Sequence, residues 1–153
     1  MLYLTDSSIW IAARRQSATY LTELLAQRLE ADEIATCTTV ALEVLTGPAT
    51  AHELNQDWDT TWRHLYWLPV TDEVMERSLD LLLTLADTMT GAHRRRPTDY
   101  IVAACAEAAG KDVVLWHWDR DLTAICDYAR IPHEAEHERA KERDVNVNPG
   151  NPV

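Results

Sequence analysis

The chain has 153 residues, 14 Lys and Arg against 25 Asp and Glu, a formal net charge of -11, and 46% apolar residues. That length and composition fit one folded domain with one core and exclude a disordered chain. The negative charge excludes a broad basic surface for nucleic acid, so any phosphate-bearing partner has to be met by a local arrangement.

Residues 2–5 read as a short buried strand, and Arg14 and Arg15 follow the apolar stretch instead of preceding it, so no secretory leader is expected. No apolar run is long enough to span a bilayer, and a cytoplasmic protein without membrane attachment is expected. Asp6-Ser7-Ser8 forms a turn and helix cap before a short apolar helix over 9–13. An amphipathic helix is predicted over 18–31, with Arg28 the one polar residue on its apolar face. Residues 33–36 form a second strand. Thr38 and Thr39 are expected to cap a helix over 40–46, which Gly47-Pro48 ends.

Residues 49–63 are helix-compatible, with Trp58 and Trp62 four apart on one packed face, and 65–68 is a third strand. A long helix is predicted over 72–89, with Val74, Leu79, Leu81, Leu82, Leu85 and Met89 inward. A loop with three arginines spans 90–98, and Thr98 is expected to cap a helix from Asp99 to the Gly110 stop. Residues 113–116 form a clear strand, 117–121 its exit loop, and 122–129 a last helix. The domain is placed at 1–132, with a flexible tail over 133–153. Cys37, Cys105 and Cys126 are widely spaced among apolar neighbours, as core thiols of a reducing compartment are, and no CxxC or CxxH pair marks a zinc site.

Strands alternating with helices through long connections predict an α/β sandwich around a parallel sheet. Ligands of such sheets bind beyond the carboxyl ends of the strands. Asp6 and Asp119 follow the first and last strands, Asp99 opens a helix, and Glu43 lies in the first turns of another, surrounded by Val40, Leu42, Val44 and Leu45. Converging carboxylates repel unless a cation holds them or one is protonated. An all-oxygen set favours Mg2+ or Mn2+, and such an ion supports metal-activated water attacking a phosphodiester in line, with no need of a ribose 2′-OH. Asp121 is an auxiliary acid, and Ser7 and Ser8 are candidate supports for Asp6. Arg94, Arg95 and Arg96 form the concentrated basic patch, expected to grip phosphate beside the acids, with Arg14, Arg15 and His117 as further candidate RNA contacts.

Four segments carry these acids: Leu2-Tyr-Leu-Thr-Asp-Ser-Ser-Ile-Trp-Ile11, Thr39-Val-Ala-Leu-Glu-Val-Leu-Thr-Gly47, Pro97-Thr-Asp-Tyr-Ile-Val-Ala-Ala-Cys-Ala106 and Val114-Leu-Trp-His-Trp-Asp-Arg-Asp-Leu122. Their order and spacing resemble the PIN-domain nucleases, and among them the VapC-type toxins of bacterial toxin–antitoxin pairs. The resemblance implies a three-layer α/β/α sandwich with a short central parallel sheet. It also implies a metal-dependent endoribonuclease that cuts tRNA or rRNA, a homodimer, and a cognate antitoxin that blocks the active-site groove. Leu122 stands where the last motif usually has an aromatic, and the segment beyond His133 has no counterpart in the resemblance. A housekeeping RNA-processing nuclease and a non-catalytic PIN-like binding module are the alternatives. A phosphatase of the haloacid-dehalogenase type lacks its DxD pair here, since Ser7 and Ser8 follow Asp6, and a receiver domain lacks its Lys after the last strand.

Overall fold

The computed structural model describes residues 1–15, 19–88, 94–137 and 139. Five strands form one parallel sheet: β1 Leu2–Thr5, β2 Ile34–Cys37, β3 Tyr66–Leu68, β4 Val113–His117 and β5 His133–Ala135. Among the described residues, seven helices flank it: α1 Ser7–Arg14, α2 Thr19–Glu30, α3 Thr38–Leu45, α4 Ala51–Thr60, α5 Asp72–Thr88, α6 Pro97–Ala109 and α7 Arg120–Ala129. This is the parallel-sheet α/β architecture that the alternating pattern predicts and is consistent with the α/β/α sandwich that the resemblance implies. None of these helices is long and apolar enough to cross a membrane.

The strand order is β3-β2-β1-β4-β5. The chain winds outward from β1 to β3, then crosses back to build β4 and β5 on the other side of β1. The winding direction therefore reverses between β1 and β4, and the crevice that such a reversal opens lies beyond their carboxyl ends. The two strands are held in register from Leu2 against Val113 to Thr5 against Trp116, and Asp6 N–H donates to the Trp116 carbonyl at 2.9 Å. Asp6 and the residues after His117 thus share one edge of the sheet.

The core is made where the strands' alternating side chains meet the helices. Leu4, Leu115, Ile9, Val40, Ala103 and Ile125 are among its buried members. Trp62 is buried in a single 3-10 turn, Trp62–His64, and its ring lies 4.8 Å from that of Trp10. Trp58 remains 40% exposed on α4 and packs toward Trp67, so the two tryptophans expected on one helical face belong to different environments. All three cysteines are free and buried.

Several local expectations give way. The cap of α3 is Cys37, without a side-chain bond, so Thr38 and Thr39 already lie inside the helix. Helix α6 begins at Pro97, not after Thr98; proline's fixed φ and missing N–H suit the first helical position. Leu79 is 55% exposed, while Ser78 takes its place inward beside Val74, Leu81 and Leu85. Met89, the last of the expected inward positions, lies outside the described residues.

The largest difference is at the end of the chain. Residues 133–135, expected as the start of a tail, form β5 against β4. Glu136 behind it is fully buried; it accepts from Trp116 Nε1 at 2.8 Å and from the Tyr20 hydroxyl at 3.3 Å. Arg28 of α2 lies 3.5 Å over the Tyr3 ring and 4.2 Å over Trp116, and donates to Glu134 at 2.8 Å. The odd polar residue of the amphipathic helix is therefore the cation that anchors an acidic edge strand. Residue 138 and residues 140–153 of the expected tail lie outside the described residues.

Candidate metal-binding active site

Each acid is placed by a local backbone requirement. Asp6 caps α1, accepting Ser8 N–H at 2.9 Å and the Ser8 hydroxyl at 2.5 Å on one carboxylate oxygen. Ser8 Oγ in turn accepts Trp118 N–H at 2.9 Å, tying the β1 exit to the β4 exit. Ser8 therefore orients Asp6, and buried Ser7 makes no such bond. Asp119 caps α7 by accepting Asp121 N–H at 2.7 Å. Asp99 lies in the first turn of α6, where the aligned N–H groups favour an anion. Glu43 is half-buried on α3.

Asp99, Asp119 and Asp121 each bring a carboxylate oxygen within 4.8 Å of the others. Asp6 and Glu43 belong to the same electrostatic group. Burial raises the pKa of Asp6, the Ser8 bonds and Arg96 pull it back, and the Glu43 charge raises it further. For Asp99, burial is again the main cause, partly offset by Arg96 and reinforced by Asp119 and Asp6, and the pKa is pushed up to about 7.

One side chain holds this cluster together, and its role differs from the expected one. Arg96 Nη2 lies 2.9 Å from Asp99 Oδ1 and 3.2 Å from Asp119 Oδ2. Burial alone would lower the Arg96 pKa, but the charges of Asp99, Glu43, Asp6 and Asp119 raise it overall. Arg95 likewise pairs with Asp121 at 2.9 Å. Two of the three arginines read as a phosphate grip are thus counter-ions of the acids, and Arg94 alone is left exposed and without a carboxylate among the described residues. The signal was present in the spacing: Arg96 precedes Asp99 by three residues, one helical turn.

Two of the other expected RNA contacts are engaged elsewhere in the fold. His117 is fully buried, and burial with His133 and His137 nearby holds its pKa down at about 4, so it is neither exposed nor charged for phosphate. Arg14 donates to the Val44 carbonyl at 3.1 Å and pairs with Asp57, joining α1 to α3 and α4. Arg15 is exposed.

A divalent cation fits the residues present. Asp99 Oδ2 is buried with no hydrogen-bond partner among the described residues, a cost that a coordinated cation would remove. The donor set is carboxylate oxygen only, which selects hard ions. Asp99, Asp119 and Asp121 bring their oxygens close enough to share such an ion, and Asp6 and Glu43 are their charged neighbours.

Comparison with known proteins agrees with this geometry. Solved structures of similar fold include VapBC2 from Rickettsia felis bound to a DNA fragment from their promoter, with 15% identity and a TM-score of 0.68. DNA-bound VapBC from Salmonella typhimurium has 16% identity and a TM-score of 0.68, and VapBC-1 from nontypeable Haemophilus influenzae has 14% and 0.68. Each alignment covers 88% of this chain and 98% of the other. No curated protein matches the chain. The PIN-domain family model matches residues 3–128, which hold every acid of the cluster, and the chain belongs to the PIN-domain family.

Proposed function

We propose that the chain is a Mg2+- or Mn2+-dependent endoribonuclease and the toxin of a toxin–antitoxin pair. The observation that carries the reading is the convergence of Asp6, Asp99 and Asp119 at the winding reversal of the sheet, with Asp6 and Asp99 buried and one oxygen of Asp99 without a hydrogen-bond partner among the described residues. The resemblance to VapC-type toxins and the fold shared with three VapBC structures support the toxin role and an antitoxin partner, and the resemblance alone implies a homodimer.

Bound Mg2+ or Mn2+ would supply charge stabilisation at the phosphate and an activated water. The chain supplies the rest. Asp6, fixed by Ser8, and Asp99 and Asp119, fixed at helix starts, present their oxygens without rearranging their own backbones, which lowers the cost of organising the site. Glu43 makes no side-chain hydrogen bond to a described residue and faces the cluster, so it is the acceptor available for a proton. Arg96 is only half enclosed at 51% side-chain exposure, and a phosphate offers it an alternative to Asp99 and Asp119. Arg94 gives the phosphate backbone a second positive charge. An antitoxin segment has a fitting apolar surface: a cleft of about 490 Å3 formed by α3, α4 and Trp67 of β3, lined by Ala41, Leu42, Leu45, Leu54, Trp58 and Trp67. Exposed Met75, Leu79 and Leu83 form an apolar stripe on α5 suited to a second copy.

Incubation of the purified chain with total tRNA and rRNA in Mg2+ or Mn2+ is expected to give discrete fragments with 5′-phosphate ends. Cleavage should stop with chelator and with Asp6→Asn. Fragments that persist under both conditions would rule out the carboxylate–cation mechanism. Ser8→Ala is expected to lower kcat by about tenfold, since groups that orient a ligand cost roughly 10- to 100-fold when removed. Unchanged kcat would show that the Ser8 backbone bond alone positions Asp6. Growth arrest on expression without a partner separates the toxin from a housekeeping processing nuclease.

A further inference from the structure

A second cluster of metal-ligating atoms stands behind the first, and the cleavage chemistry does not use it. His117 ends β4, His133 begins β5, and Cys126 lies on α7, which connects them. His117 Nε2 and His133 Nδ1 are 3.0 Å apart, and the rings are nearly parallel at 14°. One ring nitrogen of each histidine and Cys126 Sγ lie within 4.8 Å of one another. His117 and Cys126 are fully buried and His133 has 16% side-chain exposure, so the cluster is enclosed by the sheet and α7.

Two nitrogens and a thiol are not a hard-ion set. They match borderline and soft cations, which take His and Cys in tetrahedral sites. Tetrahedral zinc places its ligand atoms about 3.3 to 3.6 Å apart, so the imidazole nitrogens need to part by only a few tenths of an ångström, with Cys126 moving inward more. A separate observation points the same way. His133 Nε2 lies 3.1 Å from Asp127 Oδ1. A carboxylate behind the far nitrogen of a histidine fixes the tautomer whose near nitrogen is free to coordinate.

We propose that His117 Nε2, His133 Nδ1 and Cys126 Sγ form a site for one zinc-class divalent cation, separate from the carboxylate cluster, that fastens the edge strand β5 to β4 and α7. Without the cation the same atoms make a satisfied chain: Asp119 N–H donates to His117 Nδ1 at 3.3 Å, His117 Nε2–H to His133 Nδ1, and His133 Nε2–H to Asp127. Binding exchanges this chain for three coordinate bonds. The Cys126 thiol releases its proton to solvent. His117 is protonated at Nδ1 instead of Nε2, which breaks the long bond from Asp119 N–H. The fourth position falls to water or to His137, whose ring is 6.3 Å from that of His117.

The test is a Co2+ titration of the full chain, stripped with chelator and held in excess Mg2+ to occupy the carboxylates. The expected result is one equivalent giving the intense visible bands of four-coordinate cobalt and a near-ultraviolet thiolate-to-cobalt band, both displaced by Zn2+. Cys126→Ser should remove the thiolate band, His133→Asn should weaken binding at least about tenfold, and Asp99→Asn should leave both unchanged. If Cys126→Ser does not fold, as judged by circular dichroism, His133→Asn at its partly exposed position decides the matter. Only the weak spectrum of six-coordinate cobalt, or bands indifferent to His133→Asn, would overturn the site.

Discussion

Asp99→Asn is expected to reduce RNA cleavage by more than about a hundredfold while making the cation-free protein more stable at pH 8. The activity loss follows from position. Asp99 is 2% exposed, shares Arg96 with Asp119, and has a buried carboxylate oxygen with no hydrogen-bond partner among the described residues. Removing even a group that only orients a metal ligand costs about 10- to 100-fold, and removing the ligand should exceed that. The stability gain follows from the sign of the pKa shift. The folded pKa is about 7 against the ordinary 3.8, so between these values the folded state retains a proton that the unfolded state has released. Stability contributed by Asp99 therefore falls as pH rises from about 4 to 7, and the penalty is fully present above 7. Asn cannot ionise and escapes it. Thermal melts of both proteins in chelator at pH 5 and pH 8 should show the larger upward shift for the variant at pH 8, and saturating Mg2+ should favour the parent. A variant that melts lower at pH 8 would mean that the Arg96 pair outweighs the burial of charge.

Ending the chain at Pro132 is expected to lower the thermal midpoint by more than about 10 °C. The segment removed includes β5, Glu134 and Glu136. Arg28 is 8% exposed, and Glu134 is its hydrogen-bonded carboxylate. Breaking a buried pair by deleting one partner costs about 3 to 5 kcal/mol because the other charge stays buried. Trp116 Nε1 also loses its acceptor, for about 1 to 3 kcal/mol more. A few kcal/mol is a large part of the roughly 5 to 15 kcal/mol that hold a domain folded. Glu136→Gln, which keeps an acceptor for Trp116, should cost far less. A truncated chain that melts within a few degrees of the parent would show that β5 is dispensable.

The parts of the fold legible in the sequence were those set by local pattern. The apolar run at Leu2–Thr5, the amphipathic rhythm of α2 and the glycine after α6 place elements within a residue or two of their observed bounds. The acids were legible because strand exits and helix starts are themselves local features, and a parallel sheet sends its strand exits to one edge. What sequence reading missed depends on distant partners. Residues 133–136 are His-Glu-Ala-Glu, polar enough to read as tail; their place in the sheet depends on Arg28 and Tyr20, more than a hundred positions away. His117 looked like a surface residue because its covering ring, His133, is remote in sequence. Leu79 satisfied the helical period but fell at the edge of the buried stripe, where Ser78 closes on the Met75 carbonyl at 2.7 Å. The place of Arg96 beside the acids was legible from the sequence, while its pairing with Asp99 and Asp119 shows only in the fold.

The seat of Arg96 between Asp99 and Asp119 has a consequence for the life of the empty protein. Small domains organised around a metal often collapse when it is withdrawn, because their folding free energy is the binding free energy. Here the guanidiniums of Arg96 and Arg95 already balance part of the negative charge. The fold is therefore expected to survive withdrawal of a cation, and thermal melts with and without chelator should differ by only a few degrees.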